Sequence, residues 1–306
     1  MRLIFAGTPQ VAADTLSDLL QRGTHSVVGV LTRQDAPAGR GKRLRPSPVA
    51  ELAAANGLPL LKSGTAKSPQ VGEWVRSLAP DCAVVVAYGG LIPAALLDVP
   101  AHGWVNVHYS LLPRWRGAAP VQRAIMAGDS VTGVTVQRVV EELDAGPWLR
   151  QVEVPLGEET AGEMLAKLAP VGAEALANAL DDIAAGRAVS TEQPPALVTL
   201  APKITAETAR LSWDRPAAEL ARLVRACNPS PMAWTLLDGE RFRVLAARAG
   251  QSSGLAAGRF GFGKREVRVG TGDGDLELVQ VQAAGKKAMA AADWARGLRR
   301  GELAAQ

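Results

Sequence analysis

Alternating strand-like and helix-like patterns over the first 188 residues, followed after residue 204 by short strands with Gly-rich turns, predict an α/β protein. Residues 1–188 read as a Rossmann-like domain on a parallel sheet. Residues 204–306 read as a smaller OB-like β-barrel domain, with 189–203 as the linker. A chain of 306 residues exceeds one ordinary domain, and 47% hydrophobic residues suffice for two cores.

Residues 2–6 form a short apolar strand, and Gly7-Thr8-Pro9 turns it into a helix over 11–21 whose apolar residues fall at helical spacing. No GxGxxG motif follows, and no Asp or Glu is placed as a ribose partner, which argues against a dinucleotide site. A strand over 26–32, a helix over 47–56 and a strand over 58–61 continue the alternation. The valine-rich run 82–87 is the most apolar of the domain and reads as a central strand buried on both faces. It ends in Tyr88-Gly89-Gly90-Leu91-Ile92-Pro93, and open α/β sheets bind ligands at such strand ends. A helix over 121–127, strands over 132–139 and 151–154, and a helix over 161–185 complete the domain, the last covering the sheet with its Leu, Met and Ala stripe. Gly186-Arg187 and Gln193-Pro194-Pro195 mark the exit into the linker. Beyond it lie a helix over 217–226, ended by Asn228-Pro229-Ser230-Pro231, and strands over 233–237, 241–247, 265–270 and 276–282.

Between the second strand and its helix, residues 33–46 carry five basic residues and one acid, with two glycines and two prolines. Connections of this kind are normally two to six residues long. The segment reads either as a solvated loop or as an arm that contacts phosphates and orders on an RNA.

The chain is organised around residues 105–120. Asn106 and His108 alternate with Val105 and Val107, so on a strand the two polar side chains share one face. Two prolines, a glycine, two arginines and a tryptophan then make a loop. Alone, a His beside an Asn on a strand is more often a structural pair than a catalytic one. Asp144, in Asp-Ala-Gly-Pro, is likewise an ordinary turn residue on its own.

The longer match decides. The run Asn-x-His-x-Ser-Leu-Leu-Pro-x-x-x-Gly-x-x-Pro at 106–120 resembles the folate-dependent formyltransferases, and Arg-Trp-Arg-Gly-Ala-Ala-Pro at 114–120 resembles their methionyl-tRNA branch. Pro-Ala-Gly-Arg-Gly-Lys-Arg-Leu at 37–44 is similar to the insertion loop of that branch, which enters the acceptor-stem region of initiator tRNA. Asn-Pro-x-Pro-Met-x-Trp at 228–234, the Gly-Asp-Gly turn at 272–274 and Gln-Ala-Ala-Gly-Lys-Lys-Ala-Met at 282–289 match the second domain. The resemblance implies that Asn106, His108 and Asp144 form the active site. It implies that Tyr88, Gly89, Ser110, Leu111, Leu112 and Pro113 meet the folate, and that Arg40, Lys42, Arg43, Lys286 and Lys287 meet tRNA. In isolation Lys286 and Lys287 are no more than a solvated pair. The implied donor is 10-formyltetrahydrofolate and the implied acceptor is the α-amino group of methionine on initiator methionyl-tRNA, with no metal. Tyr109 stands where a small residue is familiar in the branch. Ala145 and Pro147 give Asp144 the setting seen in glycinamide ribonucleotide formyltransferases, and both departures bear on the shape of the folate pocket.

Formyl transfer is acyl transfer and needs an oxyanion donor and proton management near neutral pH. Asn106 is a neutral donor, His108 donates to the oxyanion, and Asp144 orients the histidine and takes up the proton of the attacking amine. No covalent enzyme intermediate is required, in keeping with the absence of a GxSxG elbow.

Charge separates the two parts. Residues 1–203 hold 18 Lys and Arg against 19 Asp and Glu, while 204–306 hold 16 against 11, a surplus of five that suits a nucleic-acid partner. Cys82 and Cys227 lack metal-ligand or CxxC spacing and read as buried thiols of a reduced compartment. With no signal peptide and no apolar run of ~18 residues, a cytoplasmic, monomeric protein is expected. No His/Cys cluster has metal-ligand spacing, and His25 and His102 carry no assigned role. Two rivals stay open: a formyltransferase for a small amine, which needs no basic arm, and a non-catalytic RNA-binding protein, which needs none of Asn106, His108 and Asp144.

Overall fold

A computed structural model describes residues 1–38, 43–298 and 303–305. In chain order the elements up to residue 184 are β1 (Arg2–Gly7), α1 (Gln10–Arg22), β2 (Ser26–Thr32), β3 (Ala36–Ala38), β4 (Arg43–Arg45), α2 (Pro48–Ala55), β5 (Leu60–Lys62), α3 (Pro69–Ser77), β6 (Cys82–Val86), α4 (Ala94–Leu97), β7 (Trp104–His108), α5 (Pro120–Ala127), β8 (Val131–Arg138), β9 (Trp148–Pro155) and α6 (Ala161–Ala184). They are followed by α7 (Ala217–Ala226), β10 (Ala233–Leu237), β11 (Glu240–Gly250), β12 (Phe260–Phe262), β13 (Val267–Gly270), β14 (Asp275–Gln282), β15 (Met289–Ala290) and α8 (Ala291–Arg296). The chain divides into two compact units. One holds Met1–Pro120, Val131–Pro155 and Leu165–Ala201, and the other holds Val121–Ser130, Leu156–Met164 and Pro202–Gln306.

The first unit is built on a seven-stranded sheet of order β5-β2-β1-β6-β7-β8-β9. Its first five strands are parallel, and β8 and β9 extend it antiparallel. The β8–β9 connection at 139–147 contains no crossover helix, and a parallel pair needs one. β6 lies between β1 and β7 with Cys82, Ala83, Val84 and Val86 buried, the central place its composition predicts. On one side Ile4, Ala6, Leu31, Val71, Val75, Ala83, Leu96 and Trp104 form an apolar cluster that fixes the sheet. Helix starts follow local chemistry: Ser47 Oγ accepts from Ala50 N at 3.1 Å and Pro48 opens α2. Helix α3 goes unmarked in the sequence, because only Val71, Gly72 and Val75 of its nine residues are buried.

The basic connection after β2 is partly regular. β3 and β4 pair antiparallel, with Arg43 opposite Ala38, and Arg43, Leu44 and Arg45 are exposed. Arg40 and Lys42 lie outside the described residues.

The second unit centres on an antiparallel sheet of order β10-β11-β14-β13-β12, with β15 beside β14. Helix α7 lays Leu220, Leu223 and Val224 on a core of Trp213, Phe242, Val244, Val267, Val269, Leu276 and Val281. The chain's last residues join the two ends of the sheet, since Ala305 bridges Leu237 at the end of β10 and Ala304 bridges Arg259 next to β12. That contact gives the open path its barrel-like closure. Lys286 and Lys287 are exposed on the β14–β15 turn, where Gln282 Nε2 donates to Lys286 O at 2.9 Å. No helix among the described residues is long and apolar enough to cross a membrane.

Candidate active site

The site begins with two strands that alternate polar and apolar side chains. In β7, Asn106 and His108 face one way, with Val105 and Val107 on the other side. In the antiparallel ladder Gln137 of β8 lies directly opposite Asn106, and Thr135 opposite His108, so the four share a face. Gln151 of β9, opposite Thr135, extends the row and donates to Thr135 Oγ1 at 3.1 Å. Thr135 and Gln137 are almost fully buried, so each must find a partner inside the protein.

Thr135 meets this need by shaping the loop after β7. Its hydroxyl donates to Ser110 O at 2.6 Å and accepts from Leu112 N at 3.1 Å, while Gln151 Nε2 donates to Leu112 O at 2.9 Å. Ser110 Oγ donates to Arg114 O at 2.6 Å, so Ser110 is spent inside the loop. Leu112 and Pro113 are buried, while Leu111 is half-buried over Gly133, where a Cβ would stand 2.5 Å from the leucine side chain. Of the loop residues expected at the folate, Leu111 is therefore the one with accessible surface. Tyr88 is buried in the apolar cluster with its carbonyl accepting from Thr8 Oγ1 at 2.9 Å, whereas Gly89 and Gly90 expose their backbone.

Asp144 reaches this face from the β8–β9 connection. That connection leaves at the amino end of β7, where Val139 N donates to Trp104 O, and folds back so that the carboxylate lies over Asn106. Oδ1 accepts from Asn106 Nδ2 at 3.3 Å and Gln137 Nε2 at 3.1 Å, and Oδ2 accepts from Gly117 N at 2.9 Å. Three donors converging on one carboxylate fix its orientation. His108 Nδ1 stands 3.6 Å from Oδ2. The other ring nitrogen, Nε2, lies 2.8 Å from the Trp115 carbonyl, which can only accept, so Nε2 carries hydrogen. Trp115, whose carbonyl takes this contact, adopts the left-handed φ of 68°. The expectation that His108 donates to an oxyanion therefore falls on Nδ1, since Nε2 is committed.

Asn106, His108 and Asp144 are thus brought together, and three participants went unnoticed in the sequence. Gln137 had a legible signal: Gly133, Thr135 and Gln137 alternate with Val134 and Val136 along β8, the same pattern that singled out Asn106 and His108. Arg116 lies inside the motif at 114–120 but the motif assigns it no role, and Gln193 had no signal. Residues 189–201, read as linker, lie across the loop as a strap: Thr191 and Trp148 exchange backbone hydrogen bonds, Arg116 N donates to Thr199 O at 2.9 Å, and Ala201 N donates to Arg116 O at 2.7 Å. Tyr109 does not narrow the polar face. Its buried ring sits against α6, where a Cβ on Gly172 would come within 3.3 Å, and burial pushes its hydroxyl pKa up to about 12. Among the described residues no group of three His, Cys, Asp or Glu is arranged to hold a metal.

The family models for formyl transferase and for its C-terminal domain match residues 1–180 and 203–299. The methionyl-tRNA formyltransferase of Streptomyces coelicolor is 51% identical over 301 residues, covering 98% of this chain and 97% of that protein. The enzyme of the same name from a Nocardioides species is 51% identical over 303 residues, with 98% and 96% covered. Among solved structures, HypX from Aquifex aeolicus superimposes with a TM-score of 0.68 at 18% identity, covering 98% of this chain and 49% of that one. The chain spans about half of HypX, and that likeness concerns the fold alone. Matched along nearly its whole length by both models and by these relatives, the chain belongs to the formyltransferase family, in its methionyl-tRNA formyltransferase branch.

Proposed function

We propose that the protein transfers a formyl group from 10-formyltetrahydrofolate to the α-amino group of methionine on initiator methionyl-tRNA, giving N-formylmethionyl-tRNA for the start of translation. The observation that carries this reading is the convergence of Asn106, His108 and Asp144 on one polar sheet face, in a chain of this family and branch.

The free amine attacks the formyl carbon, a tetrahedral species forms with negative charge on oxygen, and the carbon–nitrogen bond to the folate breaks. The proton lost by the amine ends on the leaving nitrogen. Asn106 Nδ2 spends one hydrogen on Asp144 and keeps another for the oxyanion, a neutral donation worth roughly 10²–10³ in rate. His108, anchored through Nε2, directs Nδ1 toward the reacting centre, 3.6 Å from the Asp144 carboxylate. Asp144 takes the amine proton and returns it to the leaving group, with no covalent enzyme intermediate. The half-buried Leu111 and the exposed backbone at Gly89 offer apolar surface and hydrogen-bonding groups for the folate, with Ser110, Leu112, Pro113 and Tyr88 framing them.

For the tRNA, we assign the arm carrying Arg40, Lys42 and Arg43 to the acceptor stem and Lys286 and Lys287 to the backbone. The exposed Arg43 on β4, the exposed lysine turn and the surplus of five positive charges after residue 203 support this assignment. The protein acts as a cytoplasmic monomer in this reading.

The test is transfer of radiolabelled formyl from 10-formyltetrahydrofolate to methionyl initiator tRNA, with elongator methionyl-tRNA and Asn106→Ala protein alongside. Label on the initiator species, lost in the variant, is expected. Label on neither tRNA from a protein that still binds folate overturns the tRNA reading in favour of a small amine acceptor.

A further inference from the structure

Gln193 lies outside every helix and strand, yet it is almost fully buried beside Asp144. Its Oε1 accepts from Arg116 Nε at 2.9 Å, and its Nε2 faces Asp144 O at 2.8 Å, Gly146 O at 2.7 Å and Gln137 Oε1 at 3.1 Å. A guanidinium only donates, so the amide has one workable orientation: oxygen to Arg116, nitrogen to the three oxygens, which share its two hydrogens. Gln137 is oriented in turn. Because its Oε1 accepts from Gln193, its Nε2 is the atom left for Asp144 Oδ1 at 3.1 Å. Arg116 is itself braced by Glu142, in the same connection as Asp144. Asp144 also adopts φ 52°, a left-handed turn conformation that Asp tolerates better than most side chains.

We infer that Gln193 is a positioning residue for the reaction: through two amides in series it aims a donor at Asp144, and through the Asp144 and Gly146 carbonyls it holds the connection that presents the carboxylate to Asn106 and His108. The strap thereby sets the geometry of the active site as well as carrying the chain from α6 onward to α7. This inference rests on the formyl-transfer reading given above.

Gln193→Glu tests it with little change in volume. A carboxylate keeps the Arg116 contact and sets an acceptor against three acceptors. In the full-length protein kcat is expected to fall 10- to 100-fold, with KM for both substrates within twofold and the thermal midpoint shifted by only a few degrees. In an Asp144→Asn background the same change is expected to add less than threefold, because both act through one carboxylate. Gln193→Ala, which removes the donor without adding charge, is expected to give the same kcat-only pattern at about 5- to 20-fold, and it serves if the Glu variant does not fold. A kcat within twofold of the parent, a loss matching the loss of folded protein, or full additivity with Asp144→Asn overturns the inference while the formyl-transfer reading stands. Absence of transfer by the parent protein overturns both.

Discussion

Asp144 illustrates how much of the site rests on single atoms. Its carboxylate accepts from Asn106, Gln137 and Gly117, so Asp144→Asn must turn an amide nitrogen toward at least one of those donors. We expect kcat to drop at least 10²-fold in that variant, with folate affinity retained, as read by single-turnover transfer and by fluorescence titration of the folate. Asn106→Ala is expected to lose roughly 10²–10³ in kcat with KM for tRNA unchanged, the pattern of a donor used in the transition state. The cysteines make the opposite case. Cys82 and Cys227 are fully buried, and burial pushes both thiols up to about 11. At pH 8 only roughly one thiol in a thousand is then thiolate, and even that one is enclosed. A disulfide reagent should leave the native protein unmodified for hours at pH 8 and titrate two thiols once denaturant is added.

At the scale of elements, the loop after β7 holds its shape because the strap lies against it and leaves no room for side chains. Gly117 has φ 128°, and a Cβ there would come within 2.6 Å of the Ala201 carbonyl. Gly146 is as tightly held, with its Cβ position 1.9 Å from Arg138 O. Gly117→Ala should therefore destabilise the protein by about 2–4 kcal/mol in denaturant titration. It should also lower kcat beyond the loss of folded protein, since Gly117 N is a donor to Asp144. Wild-type unfolding and turnover from this variant would show that the strap does not enforce the loop. The polar face of β7, β8 and β9 follows the same logic: Thr135, Gln137 and Gln151 are spent on backbone and carboxylate partners that a merely amphipathic strand would not need.

For the whole molecule the governing quantity is charge. The surplus of five in residues 204–306 and the exposed lysine pair on the β14–β15 turn point to a sequence-independent share of tRNA affinity. Replacing Lys286 and Lys287 by Ala should weaken tRNA binding and flatten the slope of log affinity against log salt by about one for each phosphate left without its lysine, with kcat at saturating tRNA unchanged. An unaltered salt slope would remove these lysines from the interface. Much of the architecture is legible in the sequence, because it depends on local rules. Period-two alternation marks β7 and β8, helical spacing matches α7 residue for residue, and a valine-rich run marks the central strand β6. The motif at 106–120 carries Asn106 and His108 with it. By itself the sequence determined the two-part architecture, the strand face shared by Asn106 and His108 and the sign of the charge, all of which reside in composition or in neighbours along the chain, whereas Asp144 was singled out only by the family resemblance. Only the tertiary structure decided that His108 presents Nδ1, that Tyr109 turns toward α6, and that a supposed linker supplies Gln193. That residue meets Arg116, Gln137 and Asp144 across separations of 77, 56 and 49 residues, and no local periodicity encodes hydrogen bonds made at such a distance.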